Sequence, residues 1–142
     1  MVFIKPVTDE ERAGWPKAVK VELAKAFEDE RGAIQPLVDV MMESCVLITS
    51  KPGSVRANHF HKTDWHYCYV LSGEIEYYHR PTGTEDKPEK VVIRAGELFW
   101  TPPMVDHAMV FPVETSFLTF GRNSREQAVY EADVVRIPPI NP

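Results

Sequence analysis

The sequence is poor in cysteine and in basic charge, and it has no long hydrophobic run. Its 142 residues include 2 cysteines, and 16 Lys and Arg stand against 21 Asp and Glu, which gives a net charge of −5. This balance argues against a general nucleic-acid or anionic-membrane surface, because both need a basic footprint. No apolar run approaches the roughly 20 residues that span a bilayer.

The few cysteines and the start of the chain bear on the compartment. The first residues, MVFIKPVTDEER, lack the basic start and apolar stretch of a signal peptide. We therefore expect a cytoplasmic protein without nucleic-acid or membrane partners. Cys45 and Cys68 lie in the apolar runs ESCVLI and HYCYVL. Two cysteines in such a chain do not make a disulfide framework, so we expect two free, buried thiols that take no part in binding.

Short apolar segments separated by Gly and Pro turns make up most of the chain. Hydrophobic residues are 44% and charged residues 26% of the sequence, as in a globular protein of one domain. TDEERAGW and SREQAVYEAD predict short helices, whereas KAVKVELAKAF alternates and predicts a strand, with a short helix as the alternative. The later strands recur about every 8 to 12 residues, which predicts a sandwich or barrel. Periodicity alone leaves a jelly roll, a lipocalin-like barrel and an immunoglobulin-like sandwich open.

Three of the five histidines fall within eight positions, in the stretch GSVRANHFHKTDWHYCYVLSG. His59 and His61 are two residues apart, so a strand would project both from one face. His66 follows after a short connection, and His107 comes after the turn TPPMVD. Four neutral imidazoles that converge in a concave barrel would make a first-row transition-metal site. His79 has no such context, and we leave it outside the site.

The stretch from Gly53 to Gly73 resembles the first motif of the cupins: a glycine, His-x-His, a third ligand and a second glycine. His59, His61 and His66 stand at the three ligand positions, although the third ligand of cupins is usually Glu. The resemblance implies an all-β, cupin-type double-stranded β-helix, which is a jelly-roll barrel with a short N-terminal helical segment. It also implies one domain over residues 1–142, with the barrel at about 30–122 and the terminal extensions packed on it.

The stretch from Gly96 to His107 resembles the second cupin motif, with Pro102 between the glycine and the histidine. Two positions depart from the motif. Met104 stands where a glycine is usual, and Phe111 stands where an asparagine is expected. The departure at Met104 bears on the geometry of the turn before the histidine.

The two motifs together imply one divalent transition metal bound by His59, His61, His66 and His107. An all-imidazole set is neutral, so it suits Zn²⁺, Ni²⁺, Fe²⁺ or Cu²⁺ better than Mn²⁺. We expect a metal-binding cupin enzyme that acts on a small, carbohydrate-like molecule by isomerisation, epimerisation or elimination next to a carbonyl. The alternatives are a non-haem iron dioxygenase and a small-ligand binding protein in which the metal is an anchor.

FEDERGAIQPL and SVRANHFHK are similar to sequences of the sugar-nucleotide epimerase and ketoisomerase branch of cupins. This second resemblance implies that Arg56 contacts a diphosphate, with Ala57 replacing the usual glycine. It also implies an acid or base role for His59 and His61, generally without metal. The small-molecule partner would then be a sugar or a sugar nucleotide.

No motif identifies the base, for which Tyr78, Glu76 and Asp106 are candidates because their pKa values can be tuned toward the working pH. Trp100 is a candidate for the wall of the substrate pocket, although a core position is the stronger interpretation. We expect a homodimer, since small cupins tend to pair through their outer sheet. The terminal segments VFIKPV and VVRIPPI would either join that pairing or cover the sheet edges.

Overall fold

The computed structural model describes residues 2–142, and within them the chain is mostly extended. In chain order the elements are α1 (Asp9–Ala13), β1 (Lys20–Val21), β2 (Phe27–Asp29), β3 (Gly32–Ile34), β4 (Ser44–Ser50), β5 (Val55–His61), β6 (His66–Ser72), β7 (Glu74–Pro81), β8 (Glu89–Arg94), β9 (Leu98–Thr101), β10 (Val105–Val110), β11 (Thr115–Gly121), α2 (Gln127–Asp133) and β12 (Val134–Arg136).

Ten of these strands form two antiparallel sheets, while β2 and β3 form a separate hairpin. The first sheet runs β1-β9-β6-β11-β4, and the second runs β12-β5-β10-β7-β8. The pairing is nested, because β4 pairs with β11, β5 with β10, β6 with β9 and β7 with β8. Successive nested pairs alternate between the two sheets, which is the jelly-roll arrangement. The predicted all-β barrel with a short N-terminal helix is confirmed.

The hydrophobic core fills the space between the inner faces of the two sheets. On β11 every second residue is buried, as the two-residue period of a strand requires. Phe111 is fully buried and its ring lies 5.7 Å from that of Phe117, so this departure from the cupin motif adds to the core. The buried core residues are Cys68, Val70, Ile75, Tyr77, Ile93, Phe99, Met109, Phe111 and Phe117.

The other departure, Met104, keeps the backbone of the glycine that it replaces. Its φ is 59°, in the left-handed region that favours glycine. The Met104 N–H donates to the carbonyl of His61 (2.8 Å), and its own carbonyl accepts from the Thr82 N–H (3.1 Å). These two bonds hold the turn that leads into β10, and with it the direction of His107.

The segments at both ends of the chain pack on the barrel. The buried Arg122 donates from Nε to Glu11 of α1 (2.7 Å) and from Nη2 to the carbonyl of Lys5 (2.6 Å). At the other end, β12 pairs with β5 and thereby extends the second sheet. Both predicted helices are present, and none of the helices within residues 2–142 is long and apolar enough to cross a membrane.

Two expectations about local structure are wrong. The strand predicted through Leu23 ends at Val21, because β9 begins at Leu98, opposite Val21, and offers no further partner. Cys68 is buried, but Cys45 is exposed. The apolar run around Cys45 forms β4, an edge strand whose outward face is not covered, so every second side chain of the run points to solvent.

Candidate functional site

Three histidines meet inside one end of the barrel, where β5 and β10 lie side by side. His59 is the register partner of His107, and the two rings are 4.7 Å apart. His61 lies two residues further along β5, with its ring 4.8 Å from that of His59. One ligand nitrogen from each histidine lies within 4.8 Å of the others. The two-residue period of β5 and its pairing with β10 together create this group, which we call the histidine cluster.

A bulge in β5 turns the strand just before the cluster. Ala57 and Asn58 both have left-handed backbones, with φ of 69° and 56°, and the pairing with β10 shifts register there. The extra residue places Arg56 opposite Met109, on the face that also carries His59. Arg56 therefore shares a face of β5 with His59 even though three residues separate them, and its side chain is exposed at the start of the strand. It donates to Ser50 Oγ at 2.8 Å and so joins the second sheet to β4 of the first.

A buried carboxylate from α2 holds His61. Nδ1 of His61 lies 3.2 Å from Oδ2 of Asp133, whose side chain also accepts the backbone N–H groups of Thr63 (2.8 Å) and Asp64 (3.0 Å). Burial alone would raise the pKa of Asp133, but the hydrogen bonds from His61 and Thr63 lower it to about 2. The ionised carboxylate fixes the orientation and the tautomer of His61.

His107 is held in an equivalent way by the backbone, because its Nδ1 lies 3.0 Å from the carbonyl oxygen of Val105. A carboxylate and a carbonyl oxygen can only accept, so Nδ1 is the donor in His61 and in His107. In the neutral form of each ring, Nε2 then keeps a free lone pair. Burial, followed by the proximity of the other histidines, lowers the pKa of His59 to about 2. Burial also lowers the pKa of His107 to about 3, so both rings are neutral at pH 7.

The fourth predicted ligand, His66, lies beside the histidine cluster but outside the group of three close nitrogens. Its ring is 5.2 Å from that of His61, and its Nε2 is 3.2 Å from Oδ2 of Asp64. Asp64 is itself held by the backbone N–H of Asn123 at 2.9 Å. The structure thus brings three of the four predicted ligands together and turns the fourth toward a carboxylate.

Asp64, Asp133 and His61 also come close enough together to resemble a second cation site. The oxygens of Asp133, however, already accept from two backbone N–H groups, the Thr63 hydroxyl and His61. Asp64 likewise accepts from Asn123 and faces His66. These carboxylates are satisfied by protein donors, so they anchor the histidines.

The three candidate bases lie on the far side of the second sheet. In β7, His79 is the register partner of His107, so Tyr77 and His79 face inward and the alternate residues face outward. Glu76 pairs with Lys90 at 3.2 Å on the outer face, where the ammonium group also lies over the ring of Tyr78. Asp106 accepts from Arg80 and Thr82 at 3.2 and 2.8 Å. Alternation along β7 and β10 separates Tyr78, Glu76 and Asp106 from the histidine cluster.

Trp100 also lies away from the histidines. Phe99 is the inward residue of β9, with its ring 5.1 Å from that of Tyr77 in the core. Trp100 points outward and packs against Tyr67 at 4.8 Å and against Trp15 at 5.7 Å between ring centroids. The structure places it in an aromatic layer beneath the N-terminal segment and not in the wall of the site.

Sequence reasoning missed three residues in and just before α2. Asp133 reaches His61, and the ring of Tyr130 lies 5.6 Å from that of His61 and 6.5 Å from that of His59. Arg125 lies over Tyr130, with Cζ 3.7 Å from the ring centroid. The segment SREQAVYEAD predicts a helix correctly, but no motif in it shows that the helix lies beside His59 and His61.

A family model for the cupin domain matches residues 46–120. This match covers more than half of the chain, contains both motifs and agrees with the nested strand pairing. The protein belongs to the cupin family. No curated protein matches the sequence significantly.

Several solved structures share the fold at low sequence identity. QdtA, a sugar 3,4-ketoisomerase from Thermoanaerobacterium thermosaccharolyticum in complex with TDP, is similar at a TM-score of 0.65 and 16% identity, over 84% of this chain and 85% of that one. The dTDP-4-dehydrorhamnose 3,5-epimerase from Sulfolobus tokodaii has a TM-score of 0.65 at 16% identity, over 81% of this chain and 74% of that one. The dTDP-6-deoxy-D-glucose-3,5-epimerase from Legionella pneumophila has a TM-score of 0.61 at 17% identity, over 80% of this chain and 69% of that one.

Proposed function

We propose that this cupin is a metal-dependent enzyme that moves a proton next to a carbonyl group of a carbohydrate substrate. One observation carries the proposal: His59, His61 and His107 converge within 4.8 Å at the polar end of the barrel. Metal ligation needs neutral imidazoles, and the pKa values of His59 and His107, lowered to about 2 and about 3, supply that state at pH 7.

The donor set fits a divalent transition metal. His61 and His107 keep Nε2 free while Nδ1 is held by Asp133 and by the Val105 carbonyl, which is how ligating histidines are usually oriented. Imidazole nitrogen suits Zn²⁺, Ni²⁺, Fe²⁺ and Cu²⁺. Three protein ligands would leave room for a substrate oxygen, and His66 would complete the predicted set of four only by leaving Asp64.

A metal held by these histidines would polarise a carbonyl oxygen as a Lewis acid. The chain itself offers Tyr130 for the proton transfer. Its phenol lies beside His59 and His61, forms no hydrogen bond within residues 2–142, and has a pKa raised by burial. A protonated phenol in this position can give a proton to an oxygen or carbon of the substrate.

A sugar substrate is supported by the ketoisomerase and the epimerases of sugar nucleotides among the structural neighbours. The FEDERG and SVRANHFH stretches support it as well. Arg56 remains our proposal for a contact with an anionic or polyhydroxylated substrate, because the β5 bulge puts it on the face that carries His59 and its side chain is exposed. The comparisons do not favour the dioxygenase alternative. One observation favours a metal-free variant of the same function: the His61–Asp133 pair, at 3.2 Å, is also the arrangement of a general base.

Elemental analysis of the purified protein tests the proposal. We expect one divalent metal per chain, its loss in His59→Ala and His107→Ala, and its retention in His79→Ala, a matched histidine in the neighbouring register position. Deuterium incorporation from D₂O into TDP-4-keto-6-deoxyglucose, followed by NMR, would report proton transfer. Metal-free wild type that exchanges deuterium in the presence of a chelator would replace the metal mechanism with the His61–Asp133 base. No exchange in either state would contradict the enzymatic proposal for this substrate.

A further inference from the structure

Arg125 lies two residues before α2, against the ring of Tyr130, with its charge unpaired. Its guanidinium stacks on the ring of Tyr130 at 3.7 Å and forms no hydrogen bond or ion pair within residues 2–142. Arg136, the other arginine near Tyr130, differs in this respect, because Glu131 binds it through two hydrogen bonds of 2.8 and 2.9 Å. Of the two cations, Arg125 is the one with free donors.

The stack fixes how far this charge lies from the histidines. The guanidinium is 3.7 Å from the Tyr130 ring and that ring is 5.6 Å from the His61 ring, so Arg125 lies no more than 9.3 Å from His61. A hydrogen bond takes up about 3 Å at each end of a bound molecule, so a sugar ring with one anionic substituent is long enough to reach both groups. One substrate molecule can therefore touch both groups.

The geometry also determines what Arg125 can bind. The Tyr130 ring covers one face of the guanidinium, as in other cation–π pairs, while the N–H groups along its edge stay free. A planar guanidinium edge matches the two oxygens of a phosphate or carboxylate. A neutral hydroxyl gains much less from such a contact, because it carries no charge for the fork to pair with.

We propose that Arg125 is a specificity-determining residue that binds an anionic group of the substrate, so that the site takes a sugar phosphate or a sugar acid and discriminates against neutral sugars. The inference rests on the proposed function, since it takes the histidine cluster as the place where the sugar reacts. Tyr130 has a second task here: its ring is the platform that holds the guanidinium.

Calorimetric binding of three probes tests the inference: glucose 1-phosphate, glucuronate and glucose. The variant is Arg125→Ala, and the matched control is Arg12→Ala. Arg12 lies in α1 and is also stacked on an aromatic ring, with its Cζ 5.7 Å from the centroid of the Trp15 ring. A lost charge-assisted contact should weaken binding of the anionic probe about 10- to 100-fold. Glucose binding should not change in Arg125→Ala, and Arg12→Ala should match the wild type for all three probes.

The two anionic probes distinguish the source of the charge. If only glucose 1-phosphate responds to Arg125→Ala, the group is a phosphate, and if only glucuronate responds, it is a carboxylate. Tyr130→Phe should retain the anion affinity because the ring remains, whereas Tyr130→Ala should lose it. Wild type that binds neither anion better than glucose, or an Arg125→Ala variant with wild-type anion affinity, would overturn the inference.

Zinc titration of the same proteins separates this inference from the proposed function. We expect Arg125→Ala to bind zinc like the wild type, since Arg125 contacts none of the three histidines. A wild type that binds no zinc but shows the Arg125-dependent anion affinity would contradict the metal proposal and leave Arg125 in its role. Normal zinc binding without any anion preference would leave the metal proposal standing and contradict the role of Arg125.

Discussion

Replacing Asp133 by asparagine tests the account of the site most directly. Each carboxylate oxygen of Asp133 accepts two hydrogen bonds: Oδ1 from the N–H and hydroxyl of Thr63, and Oδ2 from the N–H of Asp64 and Nδ1 of His61. Asparagine has almost the same shape but only one oxygen. Its NH₂ group must therefore face two donors, whichever way the amide is turned.

The expected loss of stability follows from those contacts. The backbone N–H of Thr63 or of Asp64 loses its acceptor, and the remaining bonds lose a charged one; a hydrogen bond to a charged group contributes about 1.5 to 3 kcal/mol. We expect Asp133→Asn to lower the free energy of unfolding by about 3 to 5 kcal/mol, within the range for breaking a buried ionic contact. If the NH₂ group faces His61, Nδ1 must become an acceptor and Nε2 loses its lone pair to a proton. Zinc affinity should then fall about 10- to 100-fold, as for other partners of ligating histidines.

Urea unfolding followed by tryptophan fluorescence measures the first effect, and zinc titration measures the second. Asp106→Asn is the matched control, because Asp106 is an equally buried carboxylate that accepts from Arg80 and Thr82 on the outer face. It should lose stability but keep zinc affinity. A loss below about 1 kcal/mol in Asp133→Asn would refute the hydrogen-bond account. Equal zinc affinity in both variants would show that Asp133 does not position His61.

Three further predictions concern the backbone, the thiols and the assembly. Ala57→Gly should raise the free energy of unfolding in urea by about 0.5 to 1 kcal/mol. Glycine removes the steric cost of a φ of 69°, and this gain exceeds the cost of its greater entropy in the unfolded chain. A loss of stability would contradict the strain at the bulge. A thiol reagent should label Cys45 rapidly and Cys68 only in urea, since Cys68 is buried and burial raises the pKa of its thiol; rapid labelling of Cys68 would contradict its burial. We propose that the expected homodimer forms through the outer face of the first sheet, where Leu47 is exposed. Leu47→Lys should then change the molar mass measured by light scattering from that of a dimer to that of a monomer. A monomeric wild type would refute this proposal.

Much of the barrel and part of the site follow from local patterns in the sequence. Alternating apolar residues with a period of two place one side of each strand inward, and turn residues separate the strands at regular intervals. His59 and His61 face the same way for that reason alone, and the spacing of the two motifs brings His107 opposite them. A motif defined by residue type does not predict the turn at Met104. This residue adopts the left-handed backbone expected of the missing glycine, and two hydrogen bonds hold it there.

What the sequence by itself could not determine depends on contacts between residues far apart in the chain. Asp133 meets His61 across 72 positions, and nothing local shows that α2 lies beside the histidines. The face of β5 on which Arg56 lies depends on an extra residue in the strand, which appears only when β5 pairs with β10. Tyr78, Glu76 and Asp106 were plausible bases by chemistry, but strand register placed them on the outer face. A sequence determines which faces are apolar, whereas the facing of polar side chains is decided by packing, because each one takes the partner that the folded chain brings within reach.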